Sequence, residues 1–162
     1  MRLCPFSWEQ AQQYLHWVNE PDIARQLTRA LPVTELEHRA WYESIIKRSD
    51  AVVFSILVGE DYVGNVWLWG IHPVHRQAEL RIVMNPAFAG KGHGTAACRA
   101  LLDFAFQQLN LNKVFLYVLQ SNLAARRCFE KAGLRDEGVL KQEFFVDGHY
   151  VDAVRMAAWA RK

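Results

Sequence analysis

From Ala78 to Met84 the chain alternates, with Leu80, Ile82 and Met84 on one face and Glu79, Arg81 and Val83 on the other. A period of two predicts a strand. Past Thr95 the period lengthens: Cys98, Leu101, Leu102, Ala105, Phe106 and Leu109 recur at i, i+3, i+4, i+7, i+8 and i+11. That is the apolar stripe of an amphipathic helix. Between them runs Asn85-Pro86-Ala87-Phe88-Ala89-Gly90-Lys91-Gly92-His93-Gly94, a glycine-rich hand-over from strand to helix.

The same reading orders the rest of the chain. Met1 to Phe6 forms a short first strand. Ser7 and Gln10 make a capping box for a helix with Trp8, Ala11, Leu15 and Val18 on its apolar face, ending before Pro21. Thr34 and Glu37 make a second box, opening a helix that carries Leu36, Ala40, Trp41 and Ile45. Ala51–Val58, Tyr62–Ile71 and Ala78–Met84 read as three strands of an antiparallel meander. In the second of these, Asn65, Trp67 and Trp69 share a face opposite Val66 and Leu68. Lys113–Gln120 is a further strand, and Ser121-Asn122 opens a short helix stopped by Gly133. Leu134–Val146 and His149–Trp159 flank Asp147-Gly148 as a closing hairpin.

Composition narrows the class. The 162 residues are 51% apolar and 12% aromatic, enough for one domain (1–162) with a real core. A net charge of +2 argues against a nucleic-acid partner. No apolar run spans a bilayer and no signal-peptide core opens the chain, so a cytoplasmic protein without a membrane partner is expected. Cys4, Cys98 and Cys128 lack metal-ligand spacing. No metal site is expected, and buried, reduced thiols are the simplest reading.

The chemistry concentrates in the glycine loop. Glycines at a strand-to-helix turn allow positive φ and close backbone approach, and the first helical amides lack acceptors. With the positive end of the helix dipole, this makes a phosphate or pyrophosphate pocket. A triphosphate P-loop requires Lys-Ser/Thr after its last glycine, whereas Gly94 precedes Thr95-Ala96. A dinucleotide fingerprint requires Gly-x-Gly-x-x-Gly, whereas the spacing here is Gly90-x-Gly92-x-Gly94.

The loop resembles instead the pyrophosphate loop of the GNAT N-acetyltransferases, Gln/Arg-x-x-Gly-x-Gly/Ala. Gly92 and Gly94 occupy the two glycine places, and Ala89 stands at the Gln/Arg position. Asn122-Leu-Ala-Ala125-Arg-Arg-Cys-Phe129-Glu130-Lys131-Ala-Gly133-Leu134 is similar to that family's Asn-x-x-Ala-x-x-x-Tyr-Glu-Lys-x-Gly-Phe. The order β-α-α-β-β-β-α-β-α-β-β matches as well. Trp-x-Asn-x-Pro-Asp-Ile (17–23) and Asp147-Gly148-x-x-x-Asp152 resemble the branch of ribosomal-protein N-terminal, polyamine and nucleotide-linked amino-sugar acetyltransferases.

The resemblance implies an α/β fold with about seven strands, four main helices and a mixed sheet splayed at its centre. It implies acetyl-CoA as co-substrate and direct transfer, with both substrates bound, to a primary amine of a small molecule of the nucleotide-linked amino-sugar or polyamine type, with a homodimer left open. Gly90, Lys91, Gly92, His93, Gly94 and Thr95 would bind pyrophosphate; main-chain groups of Ile82, Val83 and Met84, with the Asn122 side chain, would hold pantetheine. Glu79 is the candidate base, acting through water; its competing role is an ion pair with Arg76 or Arg81. Glu20 and Asp22 would attract a cationic acceptor, and Trp17 and Trp67 would line its groove. Phe129 replaces the tyrosine that usually serves as general acid, which leaves Tyr117, Ser121, a water or unassisted thiolate release. Two alternatives remain: a protein N-terminal acetyltransferase and a non-catalytic acetyl-CoA sensor.

Overall fold

The computed structural model describes residues 1–29 and 32–161. Its elements are β1 (Arg2–Pro5), α1 (Trp8–Val18), α2 (Pro21–Gln26), α3 (Glu35–Ile45), β2 (Ala51–Val58), β3 (Asp61–His72), β4 (Gln77–Met84), α4 (His93–Gln107), β5 (Lys113–Leu119), α5 (Leu123–Ala132), β6 (Arg135–Val146) and β7 (His149–Trp159). The strands form one mixed sheet in the order β1-β2-β3-β4-β5-β7-β6. Both capping boxes form: Ser7 with Gln10, and Thr34 with Glu37. Two backbone amides are satisfied reciprocally at each helix start, which places the start where the sequence does.

The alternation along β3 and β4 sorts side chains into two cores. Val66, Leu68, Ala78 and Leu80 face Ala97, Cys98, Leu101, Leu102 and Ala105 of α4. Trp67 and Val83, on the opposite face, join Phe6, Ala11, Tyr14, Val18, Ile23 and Ile45 beneath α1–α3. Burying one Leu or Ile side chain contributes about 1.5–3 kcal/mol, so each helical layer is held firmly on its face of the sheet. Gly64 pairs with Met84 in the β3–β4 ladder; a Cβ there would lie 2.5 Å from the Val83 carbonyl oxygen.

Three features depart from the sequence reading. Pro21–Gln26 is a further short helix, with Pro21 in its first turn, where a missing N–H costs nothing. In α3 the inward residues are His38, Trp41, Tyr42 and Ile45, while Leu36 is 78% exposed. A helix buries one stripe, and the stripe through Trp41 and Ile45 contains position 38, not 36 or 40. The cost of the buried imidazole is met by a hydrogen bond from His38 Nε2 to the Ala11 carbonyl, 2.7 Å. Thirdly, a single 3₁₀ turn at Pro86–Phe88 leads out of β4, capped by Asn85 accepting from Ala87 N.

The feature that makes a site is an interrupted pairing. β4 and β5 run parallel and pair only over Gln77–Glu79 with Lys113–Phe115. β4 then stays with β3 as far as Met84, while β5 stays with β7 as far as Leu119. The two strands part, and the sheet opens into a wedge. On the far side, the β6–β7 turn has φ of +49° at Asp147 and +85° at Gly148. A bulge in β6 is pinned by the Asp152 carboxylate, which accepts from Gln142 N at 2.9 Å and Lys141 Nζ at 2.7 Å.

Candidate active site

The wedge opens into a cleft of about 990 Å³ that runs from the glycine loop, along Ile82–Met84 and Leu116–Leu119, to the ends of α1–α3. At the loop end, Gly90 and Gly92 have φ of +75° and +81°, and nothing lies within 4 Å of where a Cβ would stand on either. Gly92 caps α4 without a side-chain acceptor, so the first amides of that helix are free for a ligand. His93, Gly94 and Thr95 complete this end. Anionic phosphates fit here, since the glycines leave room and the helix start supplies donors and positive potential.

On the opposite wall stands Asn122. Its Oδ1 caps α5 by accepting from Ala125 N at 3.1 Å, and the residue also lines the cleft. Phe129, about two turns further along α5, is 7% exposed and faces the same space. Tyr117 of β5, one of the candidate proton donors, is 37% exposed and lines the cleft.

At the other end, Glu79 and Arg81 project from β4 into a lobe walled by Tyr14, His38, Trp41 and Trp67. The Glu79 carboxylate accepts two bonds from the Arg81 guanidinium, at 2.8 and 2.9 Å. Arg81 in turn lies 5.2 Å from the Trp69 ring centroid. Burial lowers the His38 pKa and favours its neutral form. Because a carbonyl only accepts, Nε2 carries the proton and Nδ1 keeps the free lone pair. Burial pushes the Tyr14 phenol well up, so it stays protonated.

Asp22 and Glu37 bring carboxylates to this lobe, and Arg29 brings a cation. Glu37 is held ionised by the Thr34 N–H and hydroxyl, which lower its pKa. Asp22 shares Arg25 with Asp147 of the hairpin turn, at 2.9 and 2.6 Å. That pairing ties α2 to the β6–β7 turn, 122 residues further along the chain.

Most of the expected cofactor residues thus meet in one cleft: Ile82, Val83, Met84, Gly90, Gly92, His93, Gly94, Thr95 and Asn122 all line it. Lys91 instead turns back, its Nζ 3.3 Å from the Ala87 carbonyl and 5.1 Å from the Phe88 ring centroid. Of the acceptor candidates, Asp22 and Trp67 line the lobe. Trp17 stacks on Tyr62 at 4.8 Å, and Glu20 is the N-cap position of α2. His72 and His75 stack on each other, 4.2 Å apart, at the β3–β4 turn. Cys128 is half-buried and lines the cleft, not the closed core expected of it. Tyr14, His38 and Trp41 were missed as site residues: helical periodicity marked Trp41 only as inward-facing, and the apolar faces read for α1 and α3 passed over Tyr14 and His38.

The family model for the acetyltransferase (GNAT) domain matches residues 1–135. The chain belongs to this GNAT family. Among its relatives, a spermidine N(1)-acetyltransferase of Escherichia coli K12 is 42% identical over 93 residues, covering 57% of this chain and 50% of that protein. A Bacillus subtilis ribosomal N-acetyltransferase-like protein, YdaF, is 35% identical over 91 residues, 56% of this chain and 50% of its own. The chain therefore spans about half the length of the curated relatives it matches. The crystal structure of a Vibrio cholerae spermidine N-acetyltransferase in complex with CoA and spermine superposes with a TM-score of 0.91 at 28% identity, covering 98% of this chain and 94% of that one.

The α/β sheet, its splay and the glycine turn are the GNAT arrangement that the sequence resemblance implied. GNAT transferases use acetyl-CoA, and the cleft suits it. The loop has room and free helix amides suited to a pyrophosphate, and the parted edge of β4 leaves main-chain groups that suit an amide-bearing chain such as pantetheine.

Proposed function

We propose that residues 1–162 form one acetyl-CoA-dependent N-acetyltransferase domain that acetylates a primary amine of a small molecule, with polyamines the acceptor class. The observation that carries this reading is the continuity of the cleft: a phosphate-suited glycine turn at one end, and aromatic walls with carboxylates at the other. The solved spermine complex of the Vibrio cholerae relative supports the choice of acceptor. Acetyl-CoA supplies an activated thioester. The chain's own work is to hold it, orient the amine and move protons.

In this reading the α4 amides and Gly92–Gly94 bind pyrophosphate. Main-chain groups of Ile82–Met84 and the Asn122 side chain align pantetheine, and a β4 amide polarises the carbonyl. Glu79, steadied by Arg81, receives the ammonium proton through water, and the amine attacks directly while both substrates are bound. Asp22 and Glu37 attract the cationic remainder of the acceptor. Phe129 has no proton to give, so thiolate departure relies on Tyr117 or on solvent.

Thiol release from acetyl-CoA, measured against a panel of amines, tests the reading. Turnover with spermidine or spermine, and none with N-terminal peptides, supports it. Turnover with a nucleotide-linked amino sugar alone would move the acceptor class. Turnover with peptides alone would make it a protein N-terminal acetyltransferase, and cofactor binding without turnover on any amine would make it a sensor. The reading includes a cytoplasmic setting, where acetyl-CoA is available, and self-association. One Vibrio cholerae neighbour is dodecameric, and light scattering on this chain tests whether it assembles as a dimer or more.

A further inference from the structure

Beside the lobe, the paired strands β3 and β4 bring four long side chains onto one face of the sheet. Trp69 stands opposite Glu79, and Trp67 opposite Arg81. The Arg81 guanidinium donates to the Glu79 carboxylate through Nε at 2.8 Å and Nη2 at 2.9 Å, and its centre lies 5.2 Å from the Trp69 ring centroid. A second guanidinium meets the same ring. Arg48, from the segment between α3 and β2, lies 4.2 Å from that centroid and donates to the Asp50 carboxylate at 2.8 and 2.6 Å. The Asp50 carbonyl accepts from Ile71 N at 2.8 Å, which fastens this second pair to β3 just past Trp69. Among the described residues, Trp69, Arg48 and Asp50 stand outside the cleft lining, whereas Trp67, Glu79 and Arg81 belong to it.

The π-face of an indole attracts a guanidinium, which can also stack on it. Two guanidiniums on one ring repel each other, but each brings its own carboxylate, so the assembly is neutral. The Arg81 and Glu79 side chains are 42% and 20% exposed. An ion pair that open to water samples many geometries when nothing else holds it. Trp69 is half-buried and packed against the core beneath α1–α3, so its ring is far less free to move. It gives the Arg81 guanidinium a fixed surface, and the bidentate fork passes that constraint to the carboxylate.

We propose that Trp69 is a positioning residue: its ring, steadied by the Arg48–Asp50 pair, holds Arg81 and through Arg81 aims the Glu79 carboxylate into the lobe. The gain is one of orientation, since a group already held near its working geometry loses less to misalignment. The consequence for turnover rests on the acetyltransferase reading with Glu79 as base, whereas the platform itself does not.

The first measurement needs neither cofactor nor acceptor. The Arg81 δ-methylene proton resonances, assigned by their disappearance in Arg81→Gln, report the ring current at this side chain. They should move toward the position of a solvated arginine in Trp69→Leu and stay near the native position in Trp69→Phe. Unmoved resonances in Trp69→Leu would overturn the platform. The second measurement is thiol release with saturating acetyl-CoA and the most active amine of the panel. Trp69→Leu should lower kcat about two- to fivefold with acetyl-CoA affinity unchanged. Trp69→Phe should recover most of that loss, and Arg48→Gln, outside the cleft, should act in the same direction as Trp69→Leu. In an Arg81→Gln background the Trp69→Leu loss should vanish. A loss of the same size there would mean that Trp69 acts through packing, and would overturn the proposal. If Trp69→Leu does not fold, Arg48→Gln carries both readouts, and unmoved Arg81 resonances with native kcat in that variant would be the refuting result. Full activity in Glu79→Gln would count against the base assignment alone, and the resonance test would still decide the platform.

Discussion

Replacing Glu79 with Gln preserves the size of the side chain and removes its charge. The carboxylate engages Arg81 at 2.8 Å, with the two side chains 20% and 42% exposed. An ion pair this open to water contributes about 0.2–1 kcal/mol, and 1 kcal/mol changes a rate constant about fivefold. If Glu79 does nothing except steady Arg81, kcat in Glu79→Gln should therefore fall by less than about fivefold. If it is the base, the loss should be about 10²–10⁴-fold. The two roles are separated by more than the uncertainty in either. Rates of thiol release with saturating acetyl-CoA and amine, followed across pH, read the difference, and calorimetry verifies that cofactor affinity is intact. Arg81→Gln supplies the control, because it breaks the same pair and leaves the carboxylate. We expect a loss of about a hundredfold or more in Glu79→Gln and a much smaller one in Arg81→Gln. A fall of less than fivefold with an unchanged pH profile, or equal losses in both variants, would refute the assignment of Glu79 as base.

Three further outcomes follow from the geometry. Gly92→Glu sends a carboxylate into the open space beside the α4 amides and should weaken acetyl-CoA binding at least tenfold, about 1.4 kcal/mol; unchanged affinity in a folded variant would remove the pyrophosphate assignment. Phe129→Leu should lower unfolding free energy by about 1 kcal/mol while sparing kcat per folded molecule, and lost turnover in a stable variant with normal cofactor affinity would show that the ring takes part in catalysis. Asp152 is held below the usual carboxylate range, first by Lys141 and then by the Gln142 amide. A lowered folded pKa stabilises above the unfolded value and stops doing so as pH falls through the folded one. Asp152→Asn should accordingly be less stable at neutral pH, with the gap closing as pH falls below the ordinary Asp value of about 3.9 and through the lowered folded one; a gap that persists in acid, measured by urea midpoints, would refute the linkage.

Much of this protein is written in short-range pattern. Both capping boxes, the Gly133 helix stop and the Asp147-Gly148 turn were legible because each is satisfied by partners a few residues away; the seven strands of the described residues were legible because a period of two runs along each stretch, although their ladder partners lie as far apart as Arg2 and Leu57. The glycine loop was legible for the same reason: a strand period, three spaced glycines and a helical stripe are read on one stretch of chain. What periodicity could not decide was which inward-facing residue meets open space and which meets another side chain. Helical spacing allowed two stripes on α3, and only packing against α1 chose His38 over Leu36. Cys128 read as core because its stripe is apolar, yet the parting of β4 from β5 leaves it facing a cleft. The aromatic lobe draws Tyr14, Asp22, His38, Trp67 and Glu79 from five separate elements, and Arg25 reaches Asp147, 122 residues further along the chain. Such contacts leave no local period, because their spacing is set by how strands diverge and layers stack. The sequence alone therefore determined the elements and the phosphate-suited turn; tertiary structure decided the cleft and the aromatic lobe at its far end, because both are set by how strands diverge and layers stack.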